Sequence, residues 1–340
     1  VINEILTHTD PPQQDSVELY NPTESPADIS HWFLTDDRAE PFKFQIPPGT
    51  MIPANGFIVF TQDDFDAPAS PTRFRFSSYG EEVYLYSANA GGQLTGYSTG
   101  ASFGAAPNGV SFGRYITSTG ESRYPAQTEV TLGTVNSGPR VGPIVINEIH
   151  YSAASIEDQF IELKNITDQT VSLFDPAYPT NRWRLNGVGF AFPQGTIIEP
   201  NGLFLVVAID PATFRARHNI PDGIPIFGPW SGTLQKTGEQ LDLQRPDKPD
   251  LDDNNNVVVP YISVDTVRYS NQSPWPEAAA QGTSSLERID STAFGDDPIN
   301  WKARAYGVTP GVSNNVNLPP SVEMETNLVF VSSLYPFSTS

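Results

Sequence analysis

The sequence contains no cysteine, which excludes disulfides and thiolate metal centres. Cations are scarce: 19 Lys and Arg stand against 39 Asp and Glu, a formal charge of -20. Phosphate backbones are held by clustered Lys and Arg, so nucleic acid is excluded as a partner. No apolar run approaches the roughly 20 residues that a membrane-crossing helix needs, so membrane insertion is not expected. Histidine is limited to four positions, His8, His31, His150 and His218. None lies in a signature for a nucleophilic triad or a zinc pair, and no Gly-Lys-Ser/Thr phosphate loop occurs. The first residue is Val1, so the chain reads as part of something longer.

Turn formers are abundant. There are 26 Gly and 32 Pro among 340 residues, and 38% of the chain is hydrophobic. That mix suits short strands joined by turns around a real core. The length points to two domains, and the sequence repeats itself. VINEI occupies 1–5 and again 145–149. DSVELYN (15–21) aligns with QFIELKN (159–165), and IPPGTMIPANGFIVF (46–60) with FPQGTIIEPNGLFLVV (192–207). Trp32-Phe-Leu34 aligns with Trp183-Arg-Leu185, GEEVYLYS (80–87) with GEQLDLQR (238–245), and SFGRY (111–115) with SLERI (285–289). Conserved order of this kind implies a duplicated domain.

The aligned blocks read as strands. Ile161 and Leu163 alternate with Phe160, Glu162 and Lys164, the period of a sheet. Pro48-Gly49 and Gln194-Gly195 fit the centre of type II turns. Asn55-Gly56 and Asn201-Gly202, each between apolar runs, predict type I′ hairpins. The stretch 210–218 predicts a short helix capped by Asp210 with Pro211 in its first turn, expected as a loop decoration. The fold class expected is all-β: two tandem sandwiches over 1–138 and 145–315, plus an extended tail over 316–340. The stretch 133–143 reads as the linker between them. In the tail, Pro319-Pro320 reads as a second linker and Leu328, Val329, Phe330 and Val331 as a lone strand.

These blocks resemble the lamin tail domain, an immunoglobulin-like sandwich. The resemblance rests on VINEI, on Glu-Leu-x-Asn at 18–21 and 162–165, on the Trp-x-Leu strand and on Gly-Thr-x-Ile followed by Asn-Gly. In the second unit VDTVRY (264–269), Trp275-Pro276, GTSSLER (282–288) and Thr309-Pro-Gly311 complete the pattern. The first unit departs from it late, with LGTVN (132–136) where Thr-Pro-Gly is expected. The resemblance implies a module of a secreted or cell-surface protein in bacteria, with no shared catalytic residues.

Candidate sites follow from residue types. Asp250, Asp252 and Asn254 alternate like the start of a Ca²⁺ loop, but Asn255 and Tyr261 stand where the loop needs Gly and Glu. Asp63, Asp64 and Asp66 form a second acidic turn, so Ca²⁺ is the one cofactor to consider. Trp230, set between Pro and Gly in GPWSG (228–232), reads as an exposed aromatic for a partner. Trp275, Trp32 and Trp183 read as core. Asn165-Ile-Thr167 and Asn271-Gln-Ser273 fit the glycosylation pattern. Glu4, Glu18, Glu148 and Glu162 recur at equivalent strand positions, which argues for a role in folding, such as accepting backbone N–H bonds at a corner, over acid–base catalysis. The expected function is a non-enzymatic extracellular structural or binding pair that positions protein partners or neighbouring domains. One alternative is a subunit of an extracellular filament or surface layer that self-assembles by donating residues 328–331 to a neighbour's sheet edge. Another is a set of accessory domains on a secreted hydrolase.

Overall fold

The computed structural model describes residues 1–68, 70–251, 255–304 and 307–314. Strands dominate, and the pairing found in the first half returns in the second. Ile2–Leu6 lies between Ser16–Tyr20 and Ser111–Gly113, with Phe57–Thr61 completing a four-stranded antiparallel sheet. Facing it is a sheet ordered Phe44–Gln45, Phe33–Thr35, Gly80–Ala88, Leu94–Gly104. In the second half Ile144–His150 lies between Phe160–Asn165 and Leu286–Arg288, with Leu203–Val207 beyond Phe160–Asn165. The facing sheet is ordered Phe190–Ala191, Arg184–Asn186, Gly238–Pro246, Tyr261–Ser270. Each half is an immunoglobulin-like sandwich, as the apolar-in alternation requires. Each fills its own core. Ile5, Val17, Leu34, Phe60 and Leu85 centre the first cluster, and Ile149, Ile161, Leu185, Phe204 and Leu243 the second.

The turns show where residue chemistry acts. Gly49 (φ 81°) and Gly195 (φ 78°) hold the positive φ of a type II turn. The Asn-Gly pairs do not make the expected hairpins. Asn55 and Asn201 have φ of 51° and 55°, but the following glycines do not share that region, and a type I′ turn needs both. The flanking strands also part company: Met51–Ile52 pairs with Ala27–Asp28, while Phe57–Thr61 pairs with Ser16–Tyr20. The turn therefore carries the chain from a small side sheet to the main one. Its glycine is needed for space, because a Cβ on Gly56 would meet Pro53 Cβ at 2.9 Å.

Two further expectations change. The helix Pro211–His218 forms with the Asp210 carboxylate accepting from Thr213 N at 2.9 Å. It is more than decoration: Phe214 is buried with Phe160, Leu205, Val207 and Ile220 in a third apolar cluster on the outside of the sheet. The predicted linker is also shorter than it reads, because Gly133 and Asn136 are bonded into the first sandwich.

Candidate functional site

The recurring glutamates come together in pairs. Glu4 is opposite Glu18, and Glu148 opposite Glu162, on adjacent antiparallel strands. All four are 0% exposed. A one-residue bulge precedes each pair, between Ile2 and Glu4 and between Ile146 and Glu148. It falls at Asn3 and Asn147, and each of these amides donates to the nearby glutamate, Glu18 or Glu162, at 2.7 Å.

The remaining donors come from one segment at the end of each sandwich. Thr131 donates to Glu4 through its N–H at 2.9 Å and its hydroxyl at 2.7 Å, and Gly133 N–H donates to Glu18. Asn136 donates to the carbonyls of Asn3 and Arg114. In the second sandwich Thr309 donates to Glu148 through N–H and hydroxyl, both at 3.2 Å, and Gly311 N–H donates to Glu162 at 2.8 Å. Asn314 there donates to the carbonyls of Asn147 and Arg288. Ser111 and Ser285 complete the match, donating to Glu4 at 2.6 Å and Glu148 at 2.5 Å. The shared pattern is Thr-x-Gly-x-x-Asn, a clasp that closes over two buried carboxylates. In the first unit Thr131, Gly133 and Asn136 make the clasp with Leu132 in place of the proline, while the absence of a Trp-Pro before SFGRY (111–115) remains a difference between the units.

This arrangement supports folding over chemistry. Burial pushes the carboxyl of Glu18 above its ordinary range against the pull of Gly133 N–H. Burial also raises Glu148, with the Glu287 charge adding to it. Glu162 is raised by burial and then by the Glu148 charge beside it. A raised carboxyl can do acid–base work only where a substrate reaches it. Here the carboxylate oxygens face hydrogen-bond donors of the chain itself.

The other predicted residues are placed as follows. Asp66 is bound by Arg73 and Arg75. Asp64 caps Thr61 N–H at 2.8 Å, and Asp63 accepts from Gln14 at 2.8 Å. Each of these carboxylates thus has a protein partner. Asp250 is exposed, while Asp252 and Asn254 lie outside the described residues. Among the described residues no three or more His, Cys, Asp or Glu gather as a metal site. Trp230 is not exposed: it is 6% accessible and packs in the second core. The strand Ile226–Phe227 draws GPWSG onto the sheet, and Trp230 N donates to Val207 O at 3.2 Å. Residues 328–331 lie outside the described residues. His150 is buried against Ser284 O at 3.1 Å, and burial holds it below its usual value. Asn165 is buried, with its amide spent on Gln169 O, Ile198 O and Glu199 O, so the folded chain cannot offer it for glycosylation. Asn21 makes the same set of bonds, to Ser25 O, Ile52 O and Pro53 O.

A junction that repeat-matching could not find joins the two sandwiches. Asp297 accepts from Tyr115 hydroxyl at 3.0 Å and from Ser118 N–H at 3.0 Å. Asp296 binds Arg123 of the first sandwich at 2.9 Å and also Arg268 of the second. Tyr115 packs edge-on against Phe294 with ring centroids 5.0 Å apart. Beside this junction runs a cleft of about 1050 Å³ lined by both units. The only sequence signal was Asp296-Asp297 itself, which resembles any solvated acidic pair.

The comparisons bear on the first sandwich. Residues 1–101 match the family model of the Lamin Tail Domain. No curated protein and no solved structure matches the chain. A Lamin Tail Domain is an immunoglobulin-like structural domain, which suggests a non-enzymatic, protein-interacting module. No helix among the described residues is long and apolar enough to cross a membrane.

Proposed function

We propose that the chain is a rigid pair of lamin-tail-like sandwiches, the second a copy of the first, in a secreted or cell-surface protein. It holds a protein partner or a neighbouring domain at a fixed position. The observation that carries this reading is the junction. Asp296 and Asp297, both nearly inaccessible, bind side chains of the first sandwich and fix its angle to the second. Buried charge-assisted bonds of this kind hold one geometry. The duplicated carboxylates are consumed in closing the clasps, which leaves the surfaces as the working parts. The test is a distance measurement between two spin labels on engineered cysteines, one per sandwich, at exposed Ser98 and Ser231. One narrow distribution is expected, broadening in Asp297→Ala. A broad distribution in the unsubstituted chain would remove the rigid-module reading.

A further inference from the structure

The walls of the inter-sandwich cleft are two unpaired sheet edges. Leu94–Gly104 and Tyr261–Ser270 are each the outermost strand of a four-stranded sheet. Residues 100–105 line one side of the cleft and residues 258–266 the other. Hydrogen-bond alternation gives the direction of the backbone groups. Ala106 N donates to Ser78 O, in register with Glu82↔Ser102 and Gly80↔Gly104. Ser102 and Gly104 therefore bond inward, while Ala101 and Phe103 turn their N–H and C=O outward. On the other wall Asn271 N bonds Thr237 O and Asp247 N bonds Pro260 O. That turns Tyr261, Ser263 and Thr266 outward. Arg268 belongs to the same outward set, and Asp296 takes its N–H at 2.9 Å. No described strand pairs with either edge on its outer side.

Two facing open edges form a slot for an extended segment, since each wall offers unspent donors and acceptors. Asp242, Asp265 and Asp296 share the lining with four arginines, and Asp296 pairs with Arg123 and Arg268. Among the described residues Arg140 and Arg184 are thus the lining cations with no ion-pair partner, set in a chain of charge -20. Arg184 lies over the Tyr261 ring at 3.6 Å, which fixes its guanidinium at the wall. The occupant should therefore be an extended strand with acidic residues beside an apolar run. Residues 321–333 of this chain read SVEMETNLVFVSS, with Glu323 and Glu325 just ahead of Leu328, Val329, Phe330 and Val331. In the sequence they follow Pro319-Pro320, which reads as a linker.

We infer that residues 321–333 of a second copy occupy the cleft by strand addition, linking copies head to tail. The inference goes beyond the rigid-module reading and can fail without it. The test measures the mass of the full chain and of residues 1–316 over a range of concentrations. It also measures binding of a synthetic peptide, residues 317–340, to residues 1–316 by fluorescence anisotropy. Residues 1–316 retain every described element, and their thermal melt is recorded alongside. The full chain is expected to assemble with concentration and residues 1–316 to remain monomeric. The peptide should bind, and Val329→Pro in the peptide should weaken it by about tenfold or more, because one N–H and the extended geometry are lost. Arg140→Glu in residues 1–316 should weaken binding, and Glu323→Arg with Glu325→Arg in the peptide should restore it. A monomeric full chain with no peptide binding would overturn the inference. So would binding indifferent to Val329→Pro, or a monomeric full chain whose cleft is blocked by its own tail.

Discussion

The two sandwiches share the clasp and differ in what surrounds it. In the second, Ile226–Phe227 runs parallel beside Leu203–Val207, and the Pro211–His218 helix covers the sheet's outer face. In the first, Phe57–Thr61 is the last strand of its sheet, with no described strand beyond it. The residues follow this difference. Ser16 stands where the second sandwich has Phe160, and Thr61 where it has Val207, as their pairings show. Apolar residues appear where a cover exists and polar ones where it does not. A second difference is an ion pair. Arg288, 1% exposed, binds Asp265 at 2.6 Å, with Ile146 N–H also donating to Asp265. The matching Arg114 donates to Ser122 instead, and Thr99 occupies the strand position that corresponds to Asp265. The clasp is therefore the common requirement of the fold, and covers and buried charges vary around it.

Substitutions can break this comparison at several depths. The largest effect should come from Asp265→Ala, which leaves Arg288 charged, buried and unpaired, a situation that costs about 3–5 kcal/mol. Arg114→Ala should cost less than about 1 kcal/mol, since that side chain has no buried ion pair to lose. Denaturant unfolding followed by tryptophan emission separates the two, because Trp183, Trp230, Trp275 and Trp301 all report the second sandwich. Equal losses would erase the distinction. Next, Phe214→Ala should destabilise the second sandwich by about 3 kcal/mol by opening the cluster over Phe160 and Leu205. In the first sandwich the short helix Gln62–Phe65 buries Phe65 in the sandwich core instead of over the outer face.

Glu18→Ala and Glu162→Ala test the shared part. Each strands an asparagine amide and a glycine N–H, and each should cost about 1–3 kcal/mol in its own sandwich. A loss in only one would show that the clasps are not equivalent. The pH dependence sharpens the same point. Glu148 and Glu162 hold their protons more tightly folded than unfolded, because burial raises both, with the Glu287 charge adding to Glu148 and the Glu148 charge adding to Glu162. The folded state thus binds more protons, so the stability these two groups contribute is fully present below the ordinary value of 4.5 and is lost as pH rises through the raised values. Glu162→Gln should flatten that slope in a denaturation series from acid to mildly alkaline pH. A slope unchanged by the substitution would assign it elsewhere.

The fold was legible because the repeated sequence blocks display their own rules. Glu-Leu-x-Asn recurs since its Glu closes the clasp and its Asn bonds the carbonyls of the following loop. The corner-binding role of the glutamates followed from recurrence alone. The clasp itself was only half visible, because Thr-Pro-Gly drew attention to the proline. The residues that bond are Thr131, Gly133 and Asn136, and Leu132 replaces the proline. Trp230 misled because Pro-Trp-Ser-Gly composition marks a loop, while burial is set by the strand before it. The junction and the cleft were not legible at all. They depend on how two units pack, and no local pattern encodes a contact between Ser118 and Asp297, 179 residues apart.

The buried glutamates anchor the clasps. Native-state amide exchange at Gly133 and Gly311 tests this anchoring most directly, since each N–H is held by one of those carboxylates. Both amides should exchange as slowly as the core strands, and Glu18→Ala and Glu162→Ala should each release only the amide in its own sandwich. Loop-like exchange at both glycines in the unsubstituted chain would contradict the account.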